Sequence, residues 1–146
     1  PRPAMHRQLS VRHDRFALSR PFRISRGVKT AADVVTVTIT DDGISGRGEG
    51  VPYPRYGETV ESVMAQVQAV AGAIANGGSR ADLLPLMPAG AARNAVDCAL
   101  WDLEAKRSGT SVAALITAPP PARIATALTI VIDTPAAMAE AARAIA

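Results

Sequence analysis

Between residues 32 and 40 apolar and polar positions alternate: Val35, Val37 and Ile39 stand among Thr36, Thr38 and Thr40. A period of two in β-branched residues predicts a strand with one buried face. Asp41-Asp42-Gly43 follows, a hairpin signal because Asp and Gly accept the positive φ such turns need. Residues 44–49 then return as a Gly-rich strand. Upstream, residues 7–16 mix polar and apolar positions on the way to Leu18, and Pro21 is expected to bar a central strand from continuing. The pattern is a three-stranded antiparallel meander.

After a loop at residues 51–57 the period changes. Thr59 is placed to cap a helix, and Val60, Val63, Met64, Val67, Val70, Ala71 and Ile74 form one stripe at helical spacing. Asn76-Gly77-Gly78 ends it. Ser79 is expected to cap a short helix to Leu84, stopped by Pro85 and Pro88. A second long helix is expected over residues 89–107, with Ala92, Val96, Ala99, Leu100 and Leu103 on one face, Arg93 paired with Asp97, and Gly109 as its stop. A short helical turn at residues 112–116 precedes Ala118-Pro119-Pro120-Pro121, a stiff spacer and the expected boundary between domains 1–118 and 119–146. Residues 123–132 read as a strand and 136–146 as a helix started by Asp133-Thr134-Pro135. Strand then helix is the unit of a parallel α/β barrel. One unit leaves a strand edge unpaired, so the tail is expected to continue in a longer chain.

Composition adds constraints. At 146 residues a chain buries roughly 70% of its unfolded surface, enough for one good core. The net charge is +3, and the only lysines are Lys29 and Lys106. The amino-terminal arginines are spread through a strand and loop without an aromatic stacking platform, which argues against nucleic acid. The single Cys98 excludes an internal disulfide and reads as a buried structural thiol in a reducing compartment. No stretch is apolar enough to cross a bilayer and no signal peptide is visible, so a cytoplasmic protein is expected. His6 and His13 have no ligand partners at metal-binding spacing.

Three segments carry a resemblance. They are Pro21-Phe22-Arg23-Ile24-Ser25-Arg26-Gly27, then Gly46-Arg47-Gly48-Glu49 running into Pro52-Tyr53-Pro54-Arg55-Tyr56-Gly57-Glu58, then Pro88-Ala89-Gly90-Ala91-Ala92-Arg93-Asn94 continuing through Ala95-Val96-Asp97-Cys98-Ala99-Leu100-Trp101-Asp102 to Lys106, with a tail match at residues 126–132 and Thr134-Pro135. Together they resemble the dipeptide epimerases of the enolase superfamily, in the muconate-lactonising subgroup. The Gly-x-Gly-Glu and Ala-x-Asp-x-Ala-Leu-Trp-Asp patterns are shared with muconate cycloisomerases and succinylbenzoate synthases, which stay open as alternatives. A standalone binding module also stays open. The Pro-Tyr-Pro-Arg-Tyr-Gly-Glu loop and the Pro-Ala-Gly-Ala-Ala-Arg-Asn run are narrower and favour dipeptide epimerases.

The resemblance implies an α+β fold: an enolase-type capping domain followed by the first strand-helix unit of a TIM-like barrel. It also implies Mg²⁺, a small dipeptide of the Ala-Glu type as substrate, and the remainder of the barrel as partner, with a homo-oligomer left open. The family's catalytic lysines and metal ligands match nothing in this chain, so it is expected to supply specificity and to be inactive alone. By family position the substrate-contacting candidates are Arg26 (with Arg23 a weaker one), Tyr53, Arg55, Tyr56 and Thr129. Thr126 and Thr129 lie on opposite faces of the expected strand. Glu49, Asp97 and Asp102 are read as packing carboxylates, and Trp101 as an anchor between helix and barrel.

Overall fold

The computed structural model describes residues 7–145, so His6 lies outside the described residues. Three strands, β1 (Gln8–Ile24), β2 (Gly27–Asp41) and β3 (Ile44–Gly50), form one sheet in the order β1-β2-β3. β2 pairs antiparallel with β3 from Val35↔Gly50 to Asp41↔Ile44. The turn between them is Asp42-Gly43, with φ of 51° and 78°, the doubly positive geometry that suits a two-residue hairpin. β1 runs straight through Pro21, against expectation. β1 is an edge strand, so a missing N–H there need not interrupt a ladder.

The helices follow as α1 (Val60–Ala69), α2 (Ala71–Ala75), α3 (Arg80–Leu86), α4 (Ala91–Ser108), α5 (Val112–Ile116) and α6 (Pro135–Ile145). Thr59 and Ser62 exchange side-chain and backbone hydrogen bonds in a capping box at the start of α1. The expected single helix to Ile74 is two: the Val70 N–H reaches Val67 O, three residues back, and the tightened turn bends the chain. The stripe survives the bend, with Val63, Val67, Val70 and Ile74 all buried. Pro85 lies inside α3 rather than stopping it.

The chain forms two compact units, one of the described residues up to Asp14 with Asp33–Pro120, the other of Arg15–Ala32 with the described residues from Pro121 on. In the first, Val35, Val37 and Ile39 of β2 share a core with α1, α2, Leu83 and the alanine face of α4. β3 lies directly on α4. A Cβ on Gly46 would sit 2.7 Å from Leu103 Cβ, one on Gly48 2.6 Å from Ala99 N, and one on Gly50 2.9 Å from the Ala91 carbonyl carbon. Glycine at every second strand position thus meets Ala91, Ala95 and Ala99 at every fourth helix position. The two repeats match, at roughly 6.6 Å against 6 Å.

α4 also covers the backbone of the β3 edge. Asn94 Nδ2 donates to Glu49 O at 3.0 Å, Arg47 N to Asp102 Oδ2 at 2.8 Å, and Lys106 Nζ to Ser45 O at 2.8 Å. Edge groups that would invite another strand are thereby occupied. Partial burial pushes the Asp102 carboxyl up, but Lys106 and the Arg47 N–H outweigh it and hold it below the ordinary aspartate range. Asp102 is a packing carboxylate, as expected. Arg93 donates to Met87 O at 3.3 Å, a helix-entry contact in place of the expected pairing with Asp97. α4 ends at Gly109 in the left-handed conformation, with Thr110 N on Ala105 O.

Cys98 is exposed rather than buried. It falls in the α4 row between Asn94 and Asp102 that runs along the β3 edge, its Sγ 3.9 Å from Asn94 Oδ1, and partial burial together with Asp97 pushes its thiol pKa up. Among the described residues no helix is long and apolar enough to cross a membrane.

In the second unit residues 123–132 form no strand. A strand exists only through a partner's ladder; here Ile132 N donates to Arg23 O at 2.9 Å, and one bond is not a ladder. The helix does form: Thr134 Oγ1 accepts from Ala137 N at the start of α6.

Candidate functional site

The loop between β3 and α1 is built from its prolines outward. Pro52 and Pro54 flank Tyr53, and Pro54–Tyr56 makes one 3-10 turn, where the preset φ of proline is favourable. Tyr56 N donates to Tyr53 O at 2.9 Å and Gly57 N to Pro54 O at 3.0 Å. Gly57 leaves the turn at φ 73°, a conformation that costs most side chains energy. The Tyr53 and Tyr56 rings pack with centroids 5.6 Å apart, tilted by 44°. Tyr53 is half-buried, while Arg55 and Tyr56 are exposed. Three of the five candidate residues are therefore brought together on one short turn.

Glu58 closes this loop. One carboxylate oxygen accepts from Tyr53 N at 3.0 Å and the other from Ala91 N, the first residue of α4, at 2.7 Å. α4 has no side-chain cap of its own, since Gly90 is its N-cap. A carboxylate there satisfies an orphan N–H and meets the positive end of the helix dipole. Sequence reasoning missed Glu58. Its neighbour Thr59 gave the visible capping signal, and its partner Ala91 lies 33 residues away.

Arg26 and Thr129 belong to the second unit. Arg26 is exposed in the two-residue turn joining β1 to β2, followed by Gly27 at φ 135°. Arg23 is exposed in β1. Thr129 is exposed and lines a groove of about 220 Å³ with Arg20, Asp133, Met138 and Ala141. Trp101 carries the Arg80 guanidinium 3.3 Å above its ring, and Arg80 is held in turn by Glu104 at 2.9 Å; this stack is what the structure gives the expected anchor.

A second cluster was also missed. Asp41, 1% exposed, ends β2 and receives Arg7 Nε at 2.8 Å and an Arg107 N–H on the same oxygen. Arg7 also donates to Gly78 O at 3.0 Å. The sequence presented Asp41 only as a turn residue. Through Arg7, next to the start of β1, it ties that end of the chain, the last helical turn of α4 and the α2–α3 connection to one buried carboxylate.

Among the described residues no group of three or more His, Cys, Asp or Glu converges as a metal site; His13 is engaged by Asp33 at 2.8 Å. No chemical step is assigned to a metal on these residues.

A three-stranded meander whose glycine strand rests on an alanine helix, with a proline-stiffened loop at the entry to that helix, is the capping domain of an enolase-type enzyme. The chain belongs to the mandelate racemase / muconate lactonizing enzyme family, whose N-terminal domain matches residues 6–117. Within that family it is 48% identical over 136 residues to the L-Ala-D/L-Glu epimerase of Escherichia coli K12, covering 93% of this chain and 42% of that protein. An enolase family member from Agrobacterium tumefaciens with homology to dipeptide epimerases, solved with sodium and L-Ala-L-Glu, superposes with a TM-score of 0.86 at 50% identity over 92% of this chain and 41% of its own. The dipeptide epimerase of Enterococcus faecalis V583, solved with Mg and L-Leu-L-Tyr, gives 0.84 at 28% identity over 94% of this chain and 41% of its own. The chain thus spans about 42% of the curated relative's length.

Proposed function

We propose that this chain is the substrate-covering part of a dipeptide epimerase that inverts an α-carbon in a dipeptide of the Ala-Glu type. The observation that carries the reading is the Tyr53–Tyr56 turn: stiffened by two prolines, tied by Glu58, and presenting Arg55 to solvent. A guanidinium binds a carboxylate through two parallel hydrogen bonds, so Arg55 suits an acidic dipeptide side chain or terminus. The two tyrosines supply a wall that loses little conformational entropy when substrate binds. Arg26 offers a second guanidinium from the β1–β2 turn, and Thr129 a hydroxyl. The family relationship across nearly the whole chain supports the same assignment.

In this reading the chain's residues bind, orient and shield, and do not move the proton. A proton α to a carboxylate is barely acidic, and Mg²⁺, when bound, supplies the charge that stabilises the oxyanion formed on its removal. The lysine bases and the metal carboxylates would belong to the part of the relatives that this chain does not span.

The test uses the full-length protein with Mg²⁺, assayed on a dipeptide library for loss of the α-proton signal in D₂O. Exchange on L-Ala-L-Glu or L-Ala-D-Glu is expected. Absence of exchange on every Ala-containing dipeptide would sink the assignment. Arg55→Ala should raise KM for acidic dipeptides by about ten- to a hundredfold, the loss expected of a charged hydrogen-bonded contact. An equal effect on neutral dipeptides would remove Arg55 from substrate recognition.

A further inference from the structure

We infer that Glu58 is the positioning residue of the Tyr53–Tyr56 loop, holding it in register with the first turn of α4; the inference rests on the loop's role in substrate recognition proposed above. The loop closes on Tyr53: the N–H groups of Tyr56 and Glu58 both point to its carbonyl, at 2.9 and 3.4 Å. Its amide is taken by Glu58 Oε2, and Glu58 Oε1 takes the amide of Ala91. One side chain therefore joins the two ends of the turn to each other and the turn to a helix that begins 33 positions later. Both bonds are charge-assisted.

The surroundings are shaped for this carboxylate. A Cβ on Gly90 would stand 2.6 Å from Glu58 Oε1, and Gly90 itself adopts φ 156°. Glycine at the N-cap forgoes a side-chain cap of its own and leaves the space that the incoming carboxylate fills. Pro52 and Pro54 stiffen the loop internally but cannot fix its position relative to α4; Glu58 supplies that contact. Its effect on substrate passes through Tyr53, Arg55 and Tyr56, and no contact between Glu58 and the reacting atoms is invoked.

The experiment compares hydrogen exchange at single amides in the intact protein for wild type, Glu58→Gln, Glu58→Ala and Gly90→Ala. In Glu58→Ala the Tyr53 and Ala91 amides should exchange about tenfold faster or more, as expected when a charge-assisted bond is lost, with Ala99 in mid-α4 unchanged. Glu58→Gln keeps one acceptor oxygen and should release one of the two amides. Gly90→Ala should loosen both by pushing aside the carboxylate of an unsubstituted Glu58. Unchanged protection of Tyr53 in Glu58→Ala overturns the inference, as does equal acceleration at Ala99, which would mean general loosening of the fold. Turnover separates this from the functional reading: Glu58→Ala should raise KM for Ala-Glu about tenfold with kcat within about twofold. Lost protection with KM unchanged would uphold the positioning and refute the loop's contact with substrate.

Discussion

At the scale of single residues, Asp41 and Glu58 do the same kind of work at opposite ends of α4. Each is a carboxylate that reaches a donor distant in sequence: Asp41 collects Arg7 and Arg107, 34 and 66 positions away, and Glu58 joins the nearby Tyr53 to Ala91, 33 positions on. Removing donors and removing the acceptor should not be equivalent at Asp41. Its guanidinium partners are partly exposed and can turn to water, whereas the carboxylate cannot. Replacing both Arg7 and Arg107 by Ala should therefore cost about 3–5 kcal/mol, the penalty of a stranded buried charge. Asp41→Asn should cost about 1–3 kcal/mol. Urea denaturation midpoints at unchanged m-value would read both; the reverse ranking would show that the guanidiniums are the groups that cannot be left alone. Neither carboxylate was legible in the sequence. Local signals such as Thr59, Asp42-Gly43 and Gly109 carry their partner within a few residues and were read correctly. A long-range acceptor leaves no local trace.

At the scale of elements, the fit of β3 on α4 yields a sharp contrast between glycines. Gly48→Ala would place a methyl on the Ala95 carbonyl and 2.6 Å from Ala99 N. Backbone cannot rotate aside as a side chain does, so a loss of about 3 kcal/mol or more is expected, the upper range of overpacking. Gly72 in α2 has nothing within 4 Å of its added Cβ, and Gly72→Ala should stabilise by about 0.5–1 kcal/mol through helix propensity and a less flexible unfolded chain. Thermal midpoints moving in opposite directions would confirm the pair; equal and small changes would mean that β3 can lift from α4 cheaply. The alternation of β2 and the stripes of α1 and α4 were legible because burial on one face imposes a period. The misread elements depend on what lies beside them. Pro21 was misjudged because only topology says that β1 is an edge, and residues 123–132 have strand-like composition but no ladder partner among the described residues.

At the scale of the whole molecule, the two units differ in how well they cover their apolar side chains. The first buries Val35, Val37, Ile39 and the helical stripes almost completely. In the second, Ile124 is 79% exposed and Leu128 66%, with Phe16, Val28, Ile132 and Ile145 also exposed. Exposed apolar surface of this kind drives association. The 146-residue chain alone is expected to self-associate with rising concentration, and Ile124→Ser with Leu128→Ser to shift it toward monomer in analytical ultracentrifugation. A chain monomeric at every concentration would show that these side chains find cover within the unit. The candidate residues divide along the same line: Tyr53, Arg55 and Tyr56 were legible as a group because they are contiguous, while Arg26 and Thr129 belong to the other unit and rest on family position alone.

The spacing between β3 and α4 is set by absent side chains, which makes it a fixed dimension rather than an adjustable one. A contact made of methyls and methylenes can be retuned by swapping one residue for another of different bulk; a contact made of bare backbone has no smaller setting and tolerates no larger one. Laboratory evolution toward new substrates should therefore find its changes in the 52–58 turn, which stands on α4 through Glu58, and return the glycine strand untouched.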